Sequence, residues 1–332
     1  MIHSVLPTIC CLLSASLNLN PPEVQTLVIS GLEYAYIEQF DSAQIYFDAV
    51  IDSYPDNPAG YFFKAALLQL KMMDQSQFTD EQQYLKLTRQ SVKLSEMILD
   101  AEENLWAEFY LGSSHTYRAV YEGLKSDYYE TFKYGVKGGR ILQGIIEKDS
   151  TFYDAYLGAG SFEYFWARAA HYLPILKLGG GNVNEAIRKL HVAAENSIYS
   201  NRTAQNSLVF IYGEENNYSL AHSLNDQLLT LYPDSKTFLW GKADLEYKEE
   251  NFPAALETYC ELLARYEAEE NKNYSNIAQC KLFIGKCHLK LDENDKARKA
   301  LKGVVRLKSH ADKYPLIKEY CREAYGLLSR IF

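Results

Sequence analysis

The chain has 332 residues, 47% of them hydrophobic, enough for one large domain or two ordinary ones around a real core. A net charge of −9 argues against nucleic acid as the main partner, and 9 prolines among many Ala, Leu, Glu and Lys favour helices over sheet sandwiches. The charge is uneven: residues 1–100 carry 12 acids and 5 bases, whereas the last 37 residues carry ten Lys or Arg and three acids, a pattern that reads as a solvated helix face.

The N-terminus, MIHSVLPTICCLLSASLNLN, holds an apolar run from Val5 to Leu17. That length fits a signal-peptide core and is short for a bilayer span, and Ser14-Ala15-Ser16 supplies small residues for cleavage. Residues 1–20 are therefore expected to be an export signal, with the protein periplasmic or otherwise exported. The alternative is a buried first helix and a cytoplasmic chain, since no Lys or Arg precedes the run. Cys10 and Cys11 lack the small residues a lipoprotein site places before its cysteine. No later segment is apolar for long enough to cross a membrane.

The next stretch, VQTLVISGLEYAYIEQFDSAQIYFDAVIDSYP, spaces Gly31, Tyr34, Phe40, Ala43, Phe47, Val50 and Pro55 as two crossing helices require. Gly31 and Ala43 are small where helices A and B meet, the aromatics fill the gaps, and Pro55 ends helix B. Farther on, LWAEFYLGSSHTYRAVYEG and YYETFKYGVKGGRILQGII read as a helix pair of irregular spacing. Within it, Tyr134–Leu142 (YGVKGGRIL) reads as a flexible interhelix turn, with anion binding by Lys137 and Arg140 as the alternative. Leu157 and Gly158, then Ala186, Leu190 and Ala193, make another pair.

Three glycines, Gly179–Gly181, precede NEAIRKL. They lack the Lys-Ser/Thr of a phosphate-binding loop and follow a helix rather than a strand, so they read as a joint, with Asn182 or Asn184 capping the next helix. Leu208, Tyr212, Ala221, Leu228 and Pro233 form the next copy. Tyr218 and Phe252, like Ala221 and Ala255, stand 34 residues apart. After a polar insertion, EAEENKNYSN, come Ile284, Gly285, Ala297, Leu301 and Val304. The amphipathic stretch from Tyr314 onward reads as a terminal cap.

A period of 34 with an aromatic, a small residue and spaced apolar positions resembles the tetratricopeptide repeat. The resemblance covers about residues 22–332 and implies an all-α, right-handed solenoid of about six antiparallel helix pairs with a C-terminal capping helix, one domain over residues 21–332. The order of aromatic helix, Leu-Pro, aliphatic run, glycine-rich turn and NEAIRKL is also similar to the eukaryotic tetratricopeptide-repeat-39/inclusion-body-clearance family. That resemblance implies an extended helix pair, interaction and lipid- or organelle-associated roles, and no catalytic residues. The leader and the short length depart from those proteins, as a distant bacterial relative would.

No histidine pair has zinc-ligand spacing, no GxSxG elbow occurs, and the adjacent acids (Glu102-Glu103, Glu249-Glu250) point to different sides of a helix. The cysteines Cys280 and Cys287 lie seven apart on one helix face and read as packing, as does His288. Neither a cofactor nor a metal is expected. The expected function is a non-catalytic scaffold holding a peptide or helix of another protein in its concave groove. The alternatives are a self-associating envelope component, in which acidic front meets basic tail, and an enzyme or small-ligand- or lipid-binding protein. Candidate groove residues on the A helices are Tyr61, Lys64, Trp106, Tyr117, Tyr164, Arg168, Asn206 and Lys242. Tyr164 and Arg168 belong to the aromatic cluster that also holds Tyr153, Tyr156, Phe162, Phe165, Trp166 and Tyr172.

Overall fold

The computed structural model describes residues 17–172 and 181–331, which contain fifteen α-helices and no strand. The expected signal at its first 16 residues, and Gly179 and Gly180, lie outside the described residues. The helices follow one another as hairpins: α1 (Pro22–Ala35) with α2 (Phe40–Ser53), α3 (Pro58–Gln75) with α4 (Glu81–Leu99), and α5 (Leu105–Leu124) with α6 (Tyr128–Lys148). Then come α7 (Ala155–Tyr172) with α8 (Val183–Asn196), α9 (Asn201–Glu214) with α10 (Tyr218–Leu231), α11 (Lys236–Lys248) with α12 (Phe252–Ala268), and α13 (Tyr274–Lys290) with α14 (Asn294–Arg306). The terminal α15 (Leu316–Leu328) covers α13 and α14, as a cap should. Each helix packs on the next, the quasi-one-dimensional order of a solenoid.

This makes seven pairs among the described residues, the additional one being α3–α4. Its second helix buries Tyr84, Leu87, Thr88, Ser91, Leu94 and Ser95, a half-polar stripe without the Ala–aromatic register that marks the other copies.

Side-chain oxygens start many of the helices: Asn57, Asn104, Asp127, Asn182, Ser235, Asn251 and Asn273 each accept a backbone N–H from the first turn ahead of them. The hairpin turns share one design. Glu38, Ser76, Ser126, Asn216, Glu250 and Asp292 all have positive φ, and each stands one residue before an N–H that reaches back five residues to a helix carbonyl. Gln39 N–H to Tyr34 O at 3.0 Å and Asn217 N–H to Tyr212 O at 2.7 Å are two of these bonds. This left-handed helix ending closes six of the seven hairpins without glycine, at a backbone cost of about 1 kcal/mol each.

Glycine serves a different purpose here. A Cβ on Gly31 would collide with the Phe47 ring, so the close A–B crossing expected of the first pair is present. The turn expected at Tyr134–Leu142 is instead the middle of α6. Gly138 lies against α5, where a Cβ would stand 2.6 Å from the Gly112 carbonyl oxygen, and Gly139 lies under the Phe162 ring. Two glycines in a helix suggest a break by propensity, but here they let two helix backbones touch.

The core is continuous along the stack. Phe47, Phe62, Phe63, Phe109, Tyr110 and Tyr199 fill the first three pairs, Leu208, Leu228 and Phe238 the middle, and Tyr259, Tyr266 and Leu301 the last two. Cys280, Cys287 and Cys321 are buried free thiols within it, consistent with packing.

The solenoid also returns on itself. Tyr232 donates to Glu33, the Thr237 N–H to Glu38, and Asn273 to the Asp74 carbonyl, and each pair is separated by 199 residues. A constant offset means that the start of a second superhelical turn rests against the first. Tyr36 carries the apolar part of this seam, its ring 5.3 Å from Tyr232 and 6.4 Å from Phe238.

Candidate interaction surface

The inner face of the solenoid is built by the A helices, α1, α3, α5, α7, α9, α11 and α13. In the first three pairs that face is closed by aromatic packing. Trp106 lies 4.6 Å from Phe152, 5.5 Å from Phe109 and 5.7 Å from Tyr199. Tyr117 stands edge-on to Phe62 at 5.3 Å, and burial raises the pKa of its phenol. Lys64 is buried and its ammonium pairs with Asp48 of α2. Tyr61 is half-buried, with its hydroxyl on the Pro55 carbonyl at 3.1 Å.

Lys64 is therefore an interhelix residue, and Trp106 and Tyr117 are partly buried against the core. Tyr199, in the connection between α8 and α9, lies against Trp106 of α5 and covers part of that face.

The second half of the solenoid is more open. Tyr164 is the exception: it is 2% exposed, its hydroxyl donates to Glu215 Oε1 at 3.2 Å, and burial, with Glu215 adding, pushes its pKa up to about 12. Its role corrects from groove lining to the α7–α9 junction. Arg168, one turn later, reaches the same Glu215 oxygen at 3.4 Å and keeps 44% of its side chain exposed. Asn206 and Lys242 are partly exposed, and Lys242 makes only a 3.9 Å contact to Glu246 within its own helix.

Two apolar side chains join them. Phe165 is 59% exposed and Phe210 49%, with the Lys248 ammonium 5.7 Å from the Phe210 ring centre. Lys248 also bonds Glu214 at 2.7 Å, so the C-terminal ends of α7, α9 and α11 form one strip bearing Phe165, Arg168, Phe210 and Lys248. Phe165 lay within the aromatic cluster read from sequence, but a helix turns 100° per residue, so burying Tyr164 turns Phe165 outward. The side chain of Tyr172, from the same cluster, lies outside the described residues. Phe210 gave no sequence signal, being one apolar residue on a helix rich in them.

The other chemical candidates resolve as structure. Asn182 caps α8, its carboxamide oxygen accepting from Asn184 N at 2.9 Å. His288 Nδ1 pairs with Glu293 at 2.6 Å beside the last hairpin. Among the described residues no three His, Cys, Asp or Glu gather as a metal site would require, and no helix is long and apolar enough to cross a membrane.

A family model described as tetratricopeptide repeat matches residues 211–270, which span the end of α9 through α12. No curated protein matches the chain. Among solved structures it is similar to a chain of the APC/C Cut9–Hcn1 heterotetramer, at 16% identity and a TM-score of 0.55, over 92% of this chain and 55% of that one. It is equally similar to a signal-transduction ATPase with a tetratricopeptide-repeat sensor from Pyrococcus horikoshii, at 16% identity and a TM-score of 0.55, over 91% of this chain and 44% of that one. This chain spans about half the length of those two. With seven helix hairpins stacked in chain order among the described residues and the repeat itself recognised over residues 211–270, the chain has the fold of a tetratricopeptide-repeat solenoid.

Proposed function

We propose that the protein is a non-catalytic scaffold that holds a segment of another protein along the A helices of its fourth to sixth pairs. The observation that carries this reading is the strip of Phe165, Arg168, Phe210 and Lys248, two exposed aromatics beside cations paired with Glu215, Glu214 and Asp244, on three successive A helices. Aromatic and Arg side chains anchor protein interfaces more often than other types, because they bury large area with few rotatable bonds. Asn206 and Lys242 flank the strip on α9 and α11 and supply polar contacts to a bound backbone.

The groups whose acidity is displaced furthest, such as Tyr110, Tyr259 and Cys280, are sealed in the core, where burial suppresses ionisation and no substrate reaches them. That supports a binding role over a catalytic one. The multichain and sensor contexts of the two similar solved proteins support the same reading. The apolar leader supports export to the periplasm, where the partner would then reside; the intact mass of the protein from its own cells tests this, with loss of about 16–20 residues expected.

The binding proposal is tested by placing a photo-cross-linking residue at position 165 or 210, and separately at Ile45, which is exposed on the outer helix α2. A discrete higher-mass adduct from 165 and 210 and none from 45 is the expected result. Adducts from 45 alone would move the binding face to the outer helices.

A further inference from the structure

The seam between the two superhelical turns gathers charge that does not balance. Glu38 from the α1–α2 turn, Asp74 from the end of α3 and Glu269 from the end of α12 surround one ammonium, Lys236 of α11. Glu38 is well provided for: it accepts Lys236 N and Thr237 N, each at 2.9 Å, and Ser235 Oγ at 3.3 Å, at the start of α11. Lys236 Nζ is taken by Glu269. Asp74 is the group left poorly compensated. Its carboxylate receives Asn276 Nδ2 at 3.2 Å and the Tyr266 hydroxyl at 3.4 Å, while the shorter bonds, from Asn273 at 2.7 Å and Asn276 at 3.0 Å, go to its backbone carbonyl.

We propose that this seam is a pH-sensitive clasp, closed when Asp74 is protonated and parting between α3 and the α12–α13 junction when Asp74 ionises. The bonds to the backbone carbonyl do not depend on protonation, so they set the register of the closed contact and are given up only when the ionised carboxylate forces it apart. Ionisation adds a second uncompensated anion beside Glu38 and Glu269, with Lys236 the one cation facing it; α13 contributes only the amides of Asn273 and Asn276, and Tyr266 stays neutral.

Burial above all, reinforced by Glu38 and Glu269 against the opposing pull of Lys236, raises the Asp74 pKa to about 6. A carboxyl whose pKa is higher in the closed form binds its proton more tightly there. Closure is therefore favoured fully below the ordinary carboxyl range and is lost as pH rises through about 6. The inner part of the seam, Tyr36 against Tyr232 and Phe238, is apolar and keeps the turns hinged while the outer contact opens.

Small-angle scattering of the full chain at about pH 5 and about pH 7.5, on either side of this transition, tests the clasp. The radius of gyration should rise with pH, with a midpoint near 6 and unchanged helix content, and Asp74→Asn should stay compact at both values. A wild-type radius that does not change, or an Asp74→Asn variant that expands as the wild type does, overturns the proposal. Should the variant not fold, hydrogen exchange over Tyr274–Cys280 in the wild type, corrected for intrinsic rates, decides: protection lost above the transition supports the clasp and constant protection overturns it.

Discussion

The pairs α5–α6 and α11–α12 occupy equivalent places in the stack and reach close packing by opposite means. In α11–α12 the crossing is made by Ala243 and Ala255, both fully buried, with Tyr259 and Leu262 beside them. In α5–α6 it is made by Gly112 against Gly138, where backbone meets backbone. Alanine keeps helix propensity and holds the axes a methyl apart, whereas a glycine pair gives up propensity for contact sustained over 20 and 21 residues. The extra length carries Tyr128 and Tyr129 into solvent at the tip of the hairpin, each 76% exposed.

The strongest way to break this difference is to put a methyl where the long pair has none. Gly138→Ala would set its Cβ 2.6 Å from the Gly112 carbonyl oxygen and 2.8 Å from the Thr116 nitrogen, neither of which can rotate away. A loss of about 3 kcal/mol is expected, at the upper end for overpacking, read as a lower urea midpoint at unchanged slope. A loss below about 1 kcal/mol would show that the helices slide apart cheaply and that the glycine crossing is not what holds the pair.

The two pairs should also differ in acid. His115 of α5 is buried, stacked on Tyr134 at 5.7 Å, and its Nε2 makes no hydrogen bond. Burial, with the charge of Lys137 adding to it, holds its pKa down near 4. The unfolded chain takes up that proton from about pH 6.5 downward while the native chain resists it. Stability therefore falls as pH drops from about 6.5 through 4, by roughly 3 kcal/mol in total. His115→Phe keeps the stack and should flatten urea midpoints over that range, whereas α11–α12 contains no histidine to titrate. An equal acid slope in wild type and variant would assign the loss to other groups. This dependence runs opposite to the Asp74 clasp, so global stability and compactness should move in opposite directions on acidification.

The same contrast explains what could be read in advance. Gly31, Ala43, Phe47 and Ala255 declared their roles because a small residue and an aromatic at fixed spacing have few other uses in an amphipathic helix. Gly138 and Gly139 read as a turn because propensity outweighs packing when the partner helices are unseen; Gly112, 26 residues before Gly138, explains the first, and Phe162 of α7 the second. The seam was illegible for a related reason. Its outer half showed as a polar insertion at residues 267–276, but the residue it meets, Asp74, lies 199 positions from Asn273 with no pattern linking them. Trp106, Tyr117 and Tyr164 looked like groove residues because periodicity assigns a side chain to the inner face without saying that neighbouring helices and connections will pack over it.

In the regular pair the reverse experiment is the milder one. Ala255→Gly removes a buried methyl and lowers helix propensity, for a loss of about 1–2 kcal/mol, while the axes have room to close slightly. A loss as large as that of Gly138→Ala would mean that both crossings are equally rigid, erasing the distinction drawn between them.

The smallest effect isolates propensity from packing within α6 itself. Gly144 lies two turns beyond Gly138, and a Cβ there meets nothing within 4 Å. Its backbone is helical, so Gly144→Ala narrows the unfolded ensemble without strain in the folded one, and a gain of about 0.5–1 kcal/mol is expected. Opposite signs for the same substitution six residues apart would separate the two reasons a helix carries glycine. Gly138 is required by the neighbouring backbone, whereas Gly144 carries the entropic penalty without a contact to offset it, and a thermal melt of the two variants side by side reads the difference directly.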